Sequence, residues 1–377
     1  MTAMRQADAV GSARGLEGVP IIDCDVHNEP GPALLKYLPQ RWAEYVELVG
    51  NRSNLGTVAV GSVMRPYVSR LDAVPPSGGI PGSDPDFARE QLLDEYGISA
   101  GILNNISVGS GNIPIELECA LIHGSNEYTQ EWLDADPRWL ASISVTRVDP
   151  VWSAKEIHHW RETSPRFVQV LMNATGERPA GNPMHWPIYE AAANLGIPVA
   201  FHVGGYTPRQ SLSSGVGATS FYFEQRTSLD ILGQDIATSL IFEGVFDRWP
   251  SLQIVLVEMD WTWAVPFAWR LDSSWRVLGA EVPELKRRPS EYLRDHFWYS
   301  TQPALETEHQ HQLPAVYRQL ERAGLADRLM FASDYPHWDM DSPFETTPRS
   351  LSGELKRKIL SGNAARLYEL DLVLPTA

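Results

Sequence analysis

The chain has little cysteine, a deficit of positive charge and no long apolar run, and each shortage removes a class of protein. Two cysteines in 377 residues, Cys24 and Cys119, provide no disulfide framework of the kind that staples small secreted domains. A reducing, cytoplasmic compartment is the expected setting. Lys and Arg number 31 against 47 Asp and Glu, a formal net charge of -16, and no basic stripe is present to meet a phosphate backbone. Nucleic acid is not an expected partner. No stretch approaches the roughly 18 uninterrupted apolar residues of a spanning helix, so no membrane partner is expected either. Residues 1–18 lack the apolar core of a signal peptide and read as a flexible tail. Core material is ample, since 43% of the residues are hydrophobic.

What is present is a repeated alternation of short apolar runs with helical text. Strands are expected at Val19 to Cys24, Ala100 to Leu103, Leu140 to Val145, Phe167 to Leu171, Ile197 to Phe201, Gln253 to Val257, His296 to Ser300 and Arg328 to Ala332. Helices are expected at Phe87 to Tyr96, Ile115 to Leu133, Ile188 to Leu195 and Ser361 to Leu370. Repeated strand and helix units imply a parallel sheet, and eight of them close a (β/α)8 TIM barrel. Between strands one and two lies a segment rich in Gly, Pro and Ser, 28–85, with one helical stretch from Ala33 to Val49. It reads as an insertion over the barrel mouth. Residues 19–377 are therefore expected to form a single domain.

Several strands end on residues that bind metals. Asp25 and His27 close the first run, and their spacing of two places both side chains on one face of a strand. His202 follows the fifth strand, and Asp334 follows the eighth in Ser333-Asp334-Tyr335-Pro336-His337. In a β/α barrel these strand ends share one face, whatever their separation in sequence. Two imidazoles and two carboxylates suit zinc, iron or manganese better than calcium. Glu258, at the end of the sixth strand, is a further ligand, a bridge to a second ion, a base, or a structural partner of Arg226 or Arg270. His337 is a candidate ligand for such a second ion. Asp23, His123, His158, His159, His309 and His311 are read as structural, while His185 and His296 are within reach of a pocket but equally suited to the core. Trp261, Trp263 and Trp338 follow strands six and eight and would wall a pocket for a bulky or ring-bearing molecule, with only one of the first two facing it. Gln302, after strand seven, is a candidate hydrogen-bond partner of the substrate.

Asp25-Val26-His27, the His202 strand, Gly244-Val245-Phe246-Asp247-Arg248-Trp249-Pro250 before the Glu258 strand, Ser333 to Asp339, and Gly362-Asn363-Ala364-Ala365-Arg366-Leu367-Tyr368 together resemble the amidohydrolase superfamily. The similarity is to the branch that includes aminocarboxymuconate semialdehyde decarboxylase, and it runs from Val19 to Leu370. It implies a divalent metal held by Asp25, His27, His202 and Asp334, and, as in other barrels of that branch, a homodimer. Many relatives carry histidine where this chain has Glu258. The residues and the resemblance lead to a metal-dependent hydrolase or decarboxylase acting on a hydrophobic or aromatic carboxylate, amide or ester, with Glu258, Asp334 and His337 as the catalytic set. The alternative is a non-haem diiron monooxygenase on the same scaffold, hydroxylating a bulky apolar molecule. One ion or two thus becomes a question about Glu258.

Overall fold

In the computed structural model, residues 18–49, 68–106, 113–203, 224, 226–305, 307–347 and 350–371 are described. The tail at 1–17, the middle of the insertion at 50–67 and the glycine pair after His202 lie outside them. Eight parallel strands run in sequence order: β1 (Ile22–Val26), β2 (Ala100–Leu103), β3 (Trp139–Ser144), β4 (Phe167–Asn173), β5 (Val199–His202), β6 (Ile254–Val257), β7 (Phe297–Ser300) and β8 (Leu329–Met330). The backbone closes the circle. Cys24 N donates to Phe331 O, Asp334 N to Asp25 O and His27 N to Tyr335 O, at 2.7–3.0 Å. The expected TIM barrel is present.

Every strand contributes to the barrel interior: Ile22 and Cys24, Ile102, Leu140, Val168, Ala200, Val255 and Val257, Trp298 and Met330 form one buried cluster, closed from below by Leu367 and Tyr368. A larger cluster packs the outer strand faces against the helices. Both faces of each strand are therefore covered, which explains why the strand texts read as continuous apolar runs rather than alternating ones.

The differences from expectation have local causes. β1 begins and ends later than read, and its pairing with β2 skips a residue between Asp23 and Val26. Such a bulge re-aims the following side chains: Cys24 lies in the apolar interior and Asp25, the next residue, turns to the mouth among the other polar strand ends. β8 is only two residues long because the backbone beyond it bonds elsewhere. Phe331 N donates to Ile359 O, Ala332 N to Thr301 Oγ1 and Ser333 N to Asp23 Oδ1. The helix expected from Ala33 to Val49 divides at Pro39 into a 3-10 turn, Gly31–Tyr37, and a helix, Gln40–Val49. That expected from Phe87 starts at Pro85 under an Asp84 cap, which accepts from Asp86 N and Phe87 N. The helix Trp186–Leu195 ends, as read, on Gly196 with φ +67°.

The far leg of the insertion is stitched to the strand-eight loop. Arg70 N donates to Pro336 O, Trp338 N to Val68 O, and Ser69 pairs with His337. Its return passes the C-terminal end of β1, where Gly82 O accepts from Glu29 N. No helix among the described residues is long and apolar enough to cross a membrane.

Candidate metal centre

Asp25, His27, His202 and Asp334 converge at the C-terminal ends of β1, β5 and β8. One ligand atom from each lies within 4.8 Å of those of the others, and all four side chains are buried. His27 Nε2 is 2.8 Å from Asp334 Oδ1 and 3.6 Å from Asp25 Oδ1, and His202 Nε2 is 3.3 Å from Asp25 Oδ2. The Nδ1 atoms of both imidazoles meet backbone carbonyls, of Asn104 for His27 and of Val203 for His202. A carbonyl at Nδ1 fixes the proton there and leaves Nε2 as the lone-pair donor. Asp334 Oδ2 is buried and meets no hydrogen-bond partner among the described residues. Desolvating a carboxylate oxygen without a donor is unfavourable, so this orphan, among three other ligand atoms, fits a cation.

The electrostatics agree with that fit. Burial opposes charge on Asp25, but His202 and His27 beside it outweigh burial and hold its carboxyl well below the usual range. Burial also disfavours a charged His27, yet Asp25 and Asp334 raise its imidazole to about 10. Burial pushes Asp334 up to about 7. The acidic groups thus favour protons on His27 and His202, which a divalent ion would displace.

Glu258 stands just past β6 with φ +58°, its backbone N held by Ser300 Oγ at 2.9 Å. Asp334 likewise has φ +64°. Non-glycine residues in this region are strained and cluster at functional sites. Glu258 lies 3.8 Å from His202 Nε2, and its carboxyl forms a second close group with Asp334 and Asp339. Burial first, then the Asp334 charge, raises it well above the ordinary value.

The other sequence-derived candidates fare unevenly. His337 is beside the four-residue cluster rather than in it. Its Nδ1 is 2.6 Å from Asp334 Oδ1, its ring lies 4.4 Å from that of His27, and the residue that completes the group around Glu258 is Asp339. Asp339 was legible in the Ser333 to Asp339 motif only as a motif position. Arg226 pairs with Asp339, not with Glu258. Trp261 corrects its expectation: it packs in the core against Tyr317, ring centres 5.1 Å apart, and Trp263 is buried there too, its Nε1 on Met259 O. Neither indole is free to wall a pocket. Trp338 is about half exposed on the rim. Gln302 is fully buried, with Nε2 3.5 Å from Asp339 O and Oε1 unpartnered among the described residues. Asp23, read as structural, is that: it accepts from Asp25 N and Ser333 N. His296 stacks on Phe246 with Nδ1 on Leu252 O, in the core. The residues given no role from the sequence were Asn104, which carries no signal in a single sequence, and Asp339, whose only signal was its place in the Ser333 to Asp339 motif.

The family model described as Amidohydrolase matches residues 22–370. The chain belongs to the amidohydrolase family. A curated relative, gamma-resorcylate decarboxylase of Polaromonas sp. (strain JS666), is 26% identical over 301 residues, spanning 75% of this chain and 87% of the relative. Among solved structures, 5-carboxyvanillate decarboxylase from Sphingomonas paucimobilis superposes with a TM-score of 0.69 at 21% identity, covering 94% of this chain and all of the other. The Novosphingobium aromaticivorans 5-carboxyvanillate decarboxylase, solved with manganese and a nitrobenzoic acid, gives 0.68 at 20% identity, with 94% and 99% covered. These structures share the amidohydrolase barrel seen here, and the chain is an enzyme of that family.

Proposed function

We propose that this amidohydrolase is a divalent-metal-dependent decarboxylase of a small aromatic carboxylic acid. The observation that carries the reading is the buried set Asp25, His27, His202 and Asp334 with the carboxyl of Glu258 beside it. The curated relative named for gamma-resorcylate supports the substrate class, and manganese in a structural neighbour supports that ion for a mixed imidazole and carboxylate site. A bound divalent ion would orient the substrate's oxygens and neutralise charge that develops on them.

The protein's own groups supply the rest. Asp25 and Asp334 would balance the ion's charge, and the carbonyls at Nδ1 of His27 and His202 leave each Nε2 free to ligate it. Glu258, buried just past β6 with its carboxyl beside His202 and Asp334, is placed to act as the proton donor. The aromatic carbon bearing the carboxylate takes that proton, the carbon–carboxylate bond breaks, and its electron pair returns to the ring as carbon dioxide leaves. Glu258 is left as a carboxylate and regains its proton from solvent. Gln302 Oε1 and the Trp338 ring are the proposed substrate contacts, and the insertion at 28–85 is the proposed determinant of fit in a single 19–377 domain.

Purified protein should release carbon dioxide from a dihydroxybenzoate or carboxyvanillate, and lose this activity on chelation. Undiminished turnover in metal-free protein, or hydrolysis of aryl esters without decarboxylation, overturns the reading. One observation favours a second reading: Glu258, Asp334 and Asp339 could hold a further ion, as the diiron monooxygenase requires. Two irons per chain with substrate-dependent oxygen uptake would establish that alternative. About one ion without oxygen uptake supports the decarboxylase.

A further inference from the structure

Asn104, the residue after β2, touches both metal-type side chains of β1. Its Nδ2 donates to Asp25 Oδ1 at 2.8 Å and to Cys24 O at 3.2 Å, and its main-chain carbonyl oxygen faces His27 Nδ1 at 2.8 Å. Its backbone N donates to Val26 O at 2.7 Å. One buried residue therefore sets where Asp25 points and which nitrogen of His27 carries the proton.

Asn104 is itself held by a chain across the barrel interior. Its Oδ1 accepts from Ser142 Oγ of β3 at 2.5 Å and from Gln169 Nε2 of β4 at 3.2 Å, and Gln169 Nε2 also donates to Ser142 Oγ at 2.9 Å. Gln169 Oε1 accepts from Tyr368 Oη at 2.8 Å. Asn104, Ser142, Gln169 and Tyr368 are all buried. Every hydrogen in the sequence Tyr368, Gln169, Ser142, Asn104 points toward Asp25. The direction is set at the Asp25 end, where a carboxylate can only accept, so Asn104 Nδ2 donates to it and Asn104 Oδ1 is left to accept from Ser142 and Gln169. A flipped Asn104 amide would set its oxygen against the Asp25 carboxylate and its nitrogen against the Gln169 amide nitrogen. Aligned chains of this kind polarise one another in a low-dielectric interior.

We infer that Asn104, backed by Ser142, Gln169 and Tyr368, is a positioning residue that presents Asp25 and His27 to the metal ion, so that the C-terminal turn of the chain is part of the metal site. The inference rests on the metal reading above and extends it from the four ligands to the groups behind them. Partners of this kind contribute a factor of about 10–100 in metal affinity or activity. Asn104→Leu removes the donor to Asp25 and the acceptor for Ser142 and Gln169. Tyr368→Phe removes only the far hydroxyl, from a position that already packs against Leu367 and Cys24.

The experiment is a chelator competition that reads the manganese dissociation constant of the folded protein, with kcat and KM measured at saturating manganese. Asn104→Leu should weaken metal binding by about 10–100-fold and recover kcat as manganese is raised, with KM unchanged. Tyr368→Phe should weaken it in the same direction by a smaller factor. Recovery of kcat at saturating manganese with KM unchanged is the readout that a merely structural role would not move. Unchanged affinity in folded Asn104→Leu, or in Tyr368→Phe should the leucine variant not fold, overturns the inference. His202→Ala run alongside separates the two failures. If it also keeps full affinity, the metal reading itself is wrong; if it loses the ion while the others do not, only the role of Asn104 is.

Discussion

The backbone amide of Asp334 donates to the carbonyl oxygen of Asp25 at 3.0 Å, so the first and last metal-type ligands of the chain are tied to each other by main chain. Asp23 adds a side-chain link by accepting from Ser333 N at 2.9 Å. Neither contact uses the carboxylates of Asp25 or Asp334. Barrel closure and ligand chemistry are thus separable, and ligand substitutions should leave the fold closed.

His202→Ala tests that separation. The variant should keep its secondary structure but bind no ion, where the parent protein should carry about one per chain. Metal that binds only the folded state stabilises by about 4 kcal/mol at a thousandfold excess over the dissociation constant. Added manganese should therefore raise the melting temperature of the parent and leave that of the variant unmoved. A variant with full metal content would mean that another histidine is the ligand.

Glu258→Gln distinguishes a proton donor from a ligand. The amide keeps the shape and loses the acidic proton, so kcat should drop by about 10²–10⁴-fold, the range for a missing general acid. Metal content and KM should stay close to those of the parent. Loss of an ion by this variant would instead assign Glu258 to the group with Asp334 and Asp339.

How far these residues could be read from the sequence follows from what each depends on. The eight strands were visible because burial on both faces gives continuous apolar runs, and Asp25, His27, His202 and Asp334 were visible because they interrupt those runs at one end. The bulge in β1 was not, since it is a property of pairing between β1 and β2. Trp261 was misplaced for a related reason: position just past a strand suggests the mouth, but the packing of Tyr317 from a distant helix draws it into the core. Asn104 and Gln169 look like ordinary amides until the barrel closes and brings them behind Asp25.

Gly82→Ala should weaken both fold and site. Gly82 has φ +78°, and a Cβ there would stand 2.7 Å from the carbonyl oxygen of His27. A non-glycine residue held at positive φ is strained by about 1–3 kcal/mol, and relief requires moving either the insertion or the end of β1. The expected result is a lower melting temperature together with weaker manganese binding. A lower melting temperature with unchanged metal affinity would show that the insertion yields and β1 does not.

His185 should make stability depend on pH in a defined direction. Its ring is buried with Nε2 3.4 Å from Arg147 Nη2, and Nδ1 has no hydrogen-bond partner among the described residues. Burial first, then the Arg147 charge, lowers its imidazole to about 4. An unfolded chain takes up a proton near pH 6.5, which the folded chain refuses until about pH 4. The unfolded state therefore binds more protons throughout that window, and the contribution is complete above it and lost as pH falls through it. At pH 5 the deficit is on the order of 1–2 kcal/mol, roughly 1–2.5 °C in melting temperature for a chain this long. Thermal unfolding at pH 7 and pH 5 should show a larger drop for the parent than for His185→Asn, which cannot take the proton. Equal drops would mean that the folded protein accommodates the imidazolium, by moving Arg147 away from it or opening the loop that buries both.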